Sequence, residues 1–97
     1  MPQRRRLPRV GGEQMNYELT QHAHDMLQER KIPVEWMERV LTKPTLVEPS
    51  ATDTTLESRL AKITEHGDRV LRVVVNKKVV PVRIVSVYFD RTMKGKP

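Results

Sequence analysis

Between Arg69 and Asp90 the chain reads RVLRVVVNKKVVPVRIVSVYFD, and this run constrains the fold more than any other stretch. It holds nine of the thirteen valines. β-Branched side chains are restricted at χ1 and suit a pleated sheet better than a helix. Asn76-Lys77-Lys78 interrupts the run with turn chemistry and predicts two antiparallel strands. The near-continuous apolar content places both strands centrally in a sheet that is covered on at least one face. Pro81, early in the second strand, implies an edge position or pairing that starts after it. Arg69, Arg72, Lys77, Lys78 and Arg83 punctuate the run, so the sheet is expected to serve as both core and cationic surface.

Upstream, the period changes. Thr20 is a candidate helix cap, and Leu19, Ala23, Met26 and Leu27 recur at helical spacing to predict a first helix ending near Lys31. Arg30 projects from the middle of that apolar face and His22 from its edge. Pro33 suits the first turn of a second helix, with Glu35 complementing its dipole. That helix has the apolar stripe Ile32, Trp36, Met37, Val40 and Leu41 and closes at Lys43-Pro44. Leu46-Val47 before Pro49 predicts a short edge strand, and Glu57 to Glu65 a longer one with Arg59, Ala61 and Ile63 on one face. His66-Gly67-Asp68 predicts the turn into the valine-rich strand, and His66 is read as a turn residue. The expectation is one α+β domain over residues 17–91: an N-terminal two-helix hairpin packed on a three- to four-stranded antiparallel sheet. Residues 1–16 read as a disordered basic tail, with Met15 an alternative translation start, and residues 92–97 as a basic C-terminal tail.

A chain of 97 residues suffices for a single modest core. It has no cysteine, hence no disulfide, thiolate metal site or thiol nucleophile, and no apolar run long enough to span a bilayer. The expectation is a cytoplasmic protein with no membrane partner. The net charge of +6 is unevenly spread, at +3 over residues 1–16, −4 over 17–57 and +7 over 58–97. A cationic sheet half points to a polyanion such as RNA, against the alternative of a solvated basic surface. Tyr17, Trp36, Tyr88 and Phe89 are the aromatic residues, and none lies mid-strand where a base-stacking platform would be expected, which argues against an RRM-like reader.

The segment Thr20-Gln21-His22-Ala23 through Glu29-Arg30 resembles an uncharacterised bacterial domain family that opens with a Thr-x-His-Ala helix and an arginine eight residues after the histidine. Lys43-Pro44, Leu71-Arg72-Val73-Val74-Val75 and Val87-Tyr88-Phe89-Asp90-Arg91 continue that resemblance, in order, over roughly residues 17–91. Members often carry a basic residue where this chain has Met26, and many have glycine where it has Lys31. The layout is similar to RelE/ParE-type toxins and related small metal-independent ribonucleases. That resemblance implies a RelE-like fold, RNA cleavage on or off the ribosome, an acidic antitoxin as partner and no cofactor. On this reading His22 is the base for a ribose 2′-hydroxyl, Tyr88 and Arg91 are acid or electrostatic groups, and Arg30, Arg59, Arg72 and Arg83 contact phosphate.

The residues by themselves leave alternatives open. His22 suits a helix–sheet hydrogen bond as well as a base, and His22-x-His24 is poor metal-chelating geometry on a helix, so no metal site is expected. Arg30 either snorkels to the helix end or reaches a phosphate. Arg72 either pairs with an acid or joins an open phosphate-binding surface. Alongside the endoribonuclease stand a non-catalytic nucleic-acid-binding module and a protein-interaction module that uses the same basic sheet.

Overall fold

The computed structural model describes residues 17–93. The two basic tails, and the reading of residues 1–16 as disordered, fall largely outside them. In chain order the elements are β1 (Tyr17–Leu19), α1 (Gln21–Glu29), α2 (Val34–Thr42), β2 (Leu46–Pro49), β3 (Leu56–Ile63), β4 (Arg69–Asn76) and β5 (Val82–Phe89). Short 3-10 turns follow β3 at Thr64–His66 and β5 at Arg91–Met93.

The sheet has five strands in the order β1-β5-β4-β3-β2, rather than three or four. The added strand is β1, which pairs parallel to β5 with Tyr17 opposite Val82 and Leu19 opposite Ile84. Leu19 therefore belongs to a strand and not to the apolar face of α1. Three residues are too few to display a period, so only the distant partner reveals the strand. The β2-β3-β4-β5 meander is antiparallel throughout. Pairing of β4 with β5 starts at Arg83, after Pro81, while β5 itself lies inside the sheet. The partners of Val74 and Val75 are Ser86 and Ile84, so Val85 is the extra residue of a bulge.

Thr20 ties the first helix to this bulge. Its Oγ1 accepts from the Ala23 amide at 3.1 Å and donates to the Val85 carbonyl at 3.4 Å, and its own amide donates to the Ile84 carbonyl at 3.0 Å. One side chain thus caps the helix and docks it. Helix α1 ends at Glu29, two residues before the position expected from the pattern. The Ile32 amide reaches back to the Leu27 carbonyl at 2.9 Å and the Lys31 amide to Gln28 at 3.3 Å, with Lys31 left-handed at φ 55°. This is a Schellman ending, in which buried Leu27 and Ile32 form the accompanying apolar pair. It explains why glycine suits the position that Lys31 occupies here.

Both helices cover one face of the sheet. Ala23, Leu27, Ile32, Met37, Val40 and Leu41 pack on Ala61, Ile63, Leu71, Val73, Val75, Ile84 and Val87. Trp36 lies at the rim of this core, half-buried, because Met37 and Val40 take the innermost positions of α2. Arg30 does not emerge from the apolar face: it caps α1 and is exposed. The opposite sheet face carries Leu60, Arg72 and Tyr88 in cross-strand register, with Leu60 and Val70 fully buried there.

Candidate functional site

Arg72 is the centre of the face away from the helices. β-Alternation puts it beside Tyr88 on β5, and Asp90 lies one strand pitch further on the same side. Its Nε donates to an Asp90 oxygen at 2.8 Å, with Nη2 in ion-pair contact with the same oxygen at 2.7 Å, and its Nη1 donates to Glu48 on β2 at 3.3 Å. The Arg72 side chain is 15% exposed and that of Asp90 10%. Burial opposes the Arg72 charge, but the hydrogen bond to Asp90 and the electrostatic influence of Tyr88 and Asp90 outweigh it and hold the guanidinium above its ordinary range. The other Asp90 oxygen accepts from the Thr92 hydroxyl and amide. Those bonds, with the one from Arg72, keep the carboxyl below its usual range despite burial. Of the two readings open to Arg72, the structure shows a paired arginine, on a face that the helices leave uncovered.

The remaining arginines are held in different ways. Arg59 lies on the helix side, where Nη1 donates to the Leu41 carbonyl at 3.0 Å and Nε to Glu57 at 2.9 Å. It stabilises the carbonyl end of α2, where a cation is favoured. Arg83 is exposed and pairs with Glu18 of β1 at 3.3 Å. His22 is exposed in the first turn of α1, while Arg30 stands at the far end of that helix. Neither shares a hydrogen bond or ion pair with Arg72, Tyr88 or Arg91 among the described residues. The structure therefore joins Arg72, Tyr88 and Asp90, places Arg91 in the groove beside them, and leaves His22, Arg30, Arg59 and Arg83 at separate places.

A second arrangement was not visible in the sequence. Where β3 turns into β4 and β5 ends, an open groove of about 440 Å³ is lined by Arg69, Phe89, Asp90 and Arg91, with Gly67 and Asp68 at its lip. Gly67 and Asp68 take positive φ values of 68° and 60°, which lets the chain reverse tightly beside the groove. The ring of exposed His66 lies 4.7 Å from that of Phe89, tilted by 30°, and 5.5 Å from that of Trp36. Trp36 and Phe89 meet edge-on at 6.3 Å. Three rings from α2, a turn and β5 thus form one aromatic cluster beside two exposed arginines. The three rings are distant in sequence, and tertiary packing brings them together at the end of the sheet. Arg39 closes the periphery with a two-pronged contact to Glu65 at 2.9 and 2.7 Å, which pulls the Glu65 carboxyl down to about 2.

Among the described residues, no cluster of three or more His, Asp or Glu side chains is placed to hold a metal, and no helix is long and apolar enough to cross a membrane.

Two helices on one face of a five-stranded mixed sheet, with an arginine–carboxylate cluster on the other, define a small α+β domain. Residues 19–89 match the model of a family described as a domain of unknown function (DUF4258), and the chain belongs to that family. No match was found among curated proteins or solved structures.

Proposed function

We propose that the chain binds RNA through the cationic end of its sheet. The supporting observation is how its charges are shared out. Glu18, Glu48, Glu57 and Asp90 are all engaged by arginine or lysine within the chain. Lys62, Arg69 and Arg91 are exposed and, among the described residues, have no carboxylate partner. Register puts Lys62 and Arg69 at the β3–β4 end of the sheet, on its two faces, and Arg69 and Arg91 line the same groove. Unpaired cations gathered at one edge gain most from a phosphate backbone, because binding there breaks no internal pair. On this reading Arg59, Arg72 and Arg83 shape the surface, and Arg91 contacts phosphate.

The RelE/ParE-type endoribonuclease is the catalytic form of the same proposal. It needs an acid–base group beside the bound phosphate. The histidine close to Arg69 and Arg91 is His66, through its stack on Phe89, and not His22. This favours binding over cleavage centred on His22. The test is titration of a labelled single-stranded RNA over a range of salt. Three phosphate contacts correspond to a log–log slope of about −2, and replacing Lys62, Arg69 and Arg91 with alanine should flatten the slope by that amount. Binding that ignores salt, or that the triple variant leaves unchanged, overturns the proposal. Incubating RNA without divalent metal, with and without ribosomes, separates the two forms. Intact RNA supports the binder; cleavage lost in His22→Ala supports the enzyme.

A further inference from the structure

We propose that the groove at the end of the sheet is a nucleotide subsite, in which a base of single-stranded RNA stacks on His66 and its phosphate lies between Arg69 and Arg91. The inference rests on the RNA-binding reading and adds a defined place and ligand chemistry to it.

His66 is exposed, yet its ring is held against Phe89 at 4.7 Å and Trp36 at 5.5 Å, contacts that restrict the ring before any ligand arrives. A preordered ring loses little entropy on stacking, and base–aromatic stacking tolerates any base because every base has a π-face. Phe89 joins the platform to the groove, since it also lines the wall that carries Arg69 and Arg91. Both arginines are exposed with no carboxylate partner among the described residues, and the Asp90 charge between them is engaged by Arg72 and Thr92.

The groove's remaining acid selects among anions. Asp68 also lines it, with an exposed carboxylate that has no hydrogen bond or ion pair among the described residues. A carboxylate opposes a bare phosphate but accepts from a base N–H or a ribose hydroxyl. Phe89, two guanidiniums and one hydrogen-bond acceptor line about 440 Å³, with the His66 ring packed on Phe89 beside it, and this set suits a nucleotide better than an inorganic anion or an acidic peptide.

The test uses the full chain and two labelled single strands of equal length and charge, an oligoribonucleotide and its abasic counterpart. The oligoribonucleotide should bind about tenfold more tightly than the abasic strand. That advantage should vanish in His66→Ala and persist in His66→Phe, which retains a ring. Arg69→Ala and Arg91→Ala should weaken both strands and each flatten the salt slope by about 0.7. Circular-dichroism melts check that each variant is folded. If both strands bind equally well, or if His66→Ala retains the preference, the subsite is refuted while salt-dependent RNA binding stands. If neither strand binds, the subsite and the RNA reading fall together. Saturation by inorganic phosphate at the same concentrations as the oligoribonucleotide also refutes it, by showing an anion site indifferent to the base.

Discussion

Replacing Asp90 with alanine removes the more buried carboxylate partner of Arg72 on the uncovered sheet face. The substitution removes the acceptor of two Arg72 contacts, at 2.8 and 2.7 Å, and of the Thr92 bonds. Because both Arg72 contacts fall on one oxygen, they count as roughly one charge-assisted hydrogen bond of about 1.5–3 kcal/mol. Breaking a fully buried pair costs about 3–5 kcal/mol. Arg72 remains 15% exposed and retains Glu48 at 3.3 Å, which moves the expectation to the lower side. The net prediction is a loss of about 2–3 kcal/mol, or roughly 10–20 °C in Tm. Glu48→Ala is the internal control: its side chain is 43% exposed, so it should cost less than about 1 kcal/mol. Urea is the appropriate denaturant, since a salt denaturant would screen the pair under study. Acid should act on the same contact. The Asp90 carboxyl titrates below its ordinary 3.8 when folded, so its stabilisation is fully present above that value and is lost as pH falls through the lower folded value. Stability of Asp90→Ala should therefore depend less on pH in that acid range. A variant within 0.5 kcal/mol of the parent, or a Glu48→Ala loss larger than that of Asp90→Ala, would show that Arg72 draws its support elsewhere.

Two further outcomes are expected. NMR titration of Glu65 should give a midpoint near 2, moving towards the ordinary 4.5 in Arg39→Ala, because the two-pronged arginine contact favours the ionised form. An unmoved midpoint would assign the shift to the backbone. Lys31→Gly should raise stability by about 0.5–1 kcal/mol in urea melts, since the residue sits at φ 55° in a Schellman ending. A destabilised variant would mean that the lysine stem contributes packing that outweighs the strain.

How much of this protein could be read from the chain varies with the range of the interaction. The cap at Thr20, the turn at Gly67-Asp68 and the shared face of Arg59, Ala61 and Ile63 depend on residues within a few positions, and all three appear where the pattern puts them. The fates of the arginines do not. Arg72 on a valine-rich strand reads equally well as paired or open, and the choice rests on Glu48 and Asp90, 24 and 18 residues away. Arg30 shows the converse error, because the helix ends before the apolar face reaches it.

The sequence by itself determined the two helices, the valine-rich β4 and β5 and the antiparallel order of β2 to β5, because periodicity and turn chemistry are local properties of the chain. Only the tertiary structure decided that Tyr17–Leu19 adds a parallel strand, since its register partners are 65 residues away and three residues carry no period of their own. The same holds for the ring cluster. Trp36, His66 and Phe89 come from a helix, a turn and a strand end, each with a local role that does not require the others. Their meeting is fixed by how α2 and the β3–β4 turn pack against β5, and no short window of sequence encodes that geometry.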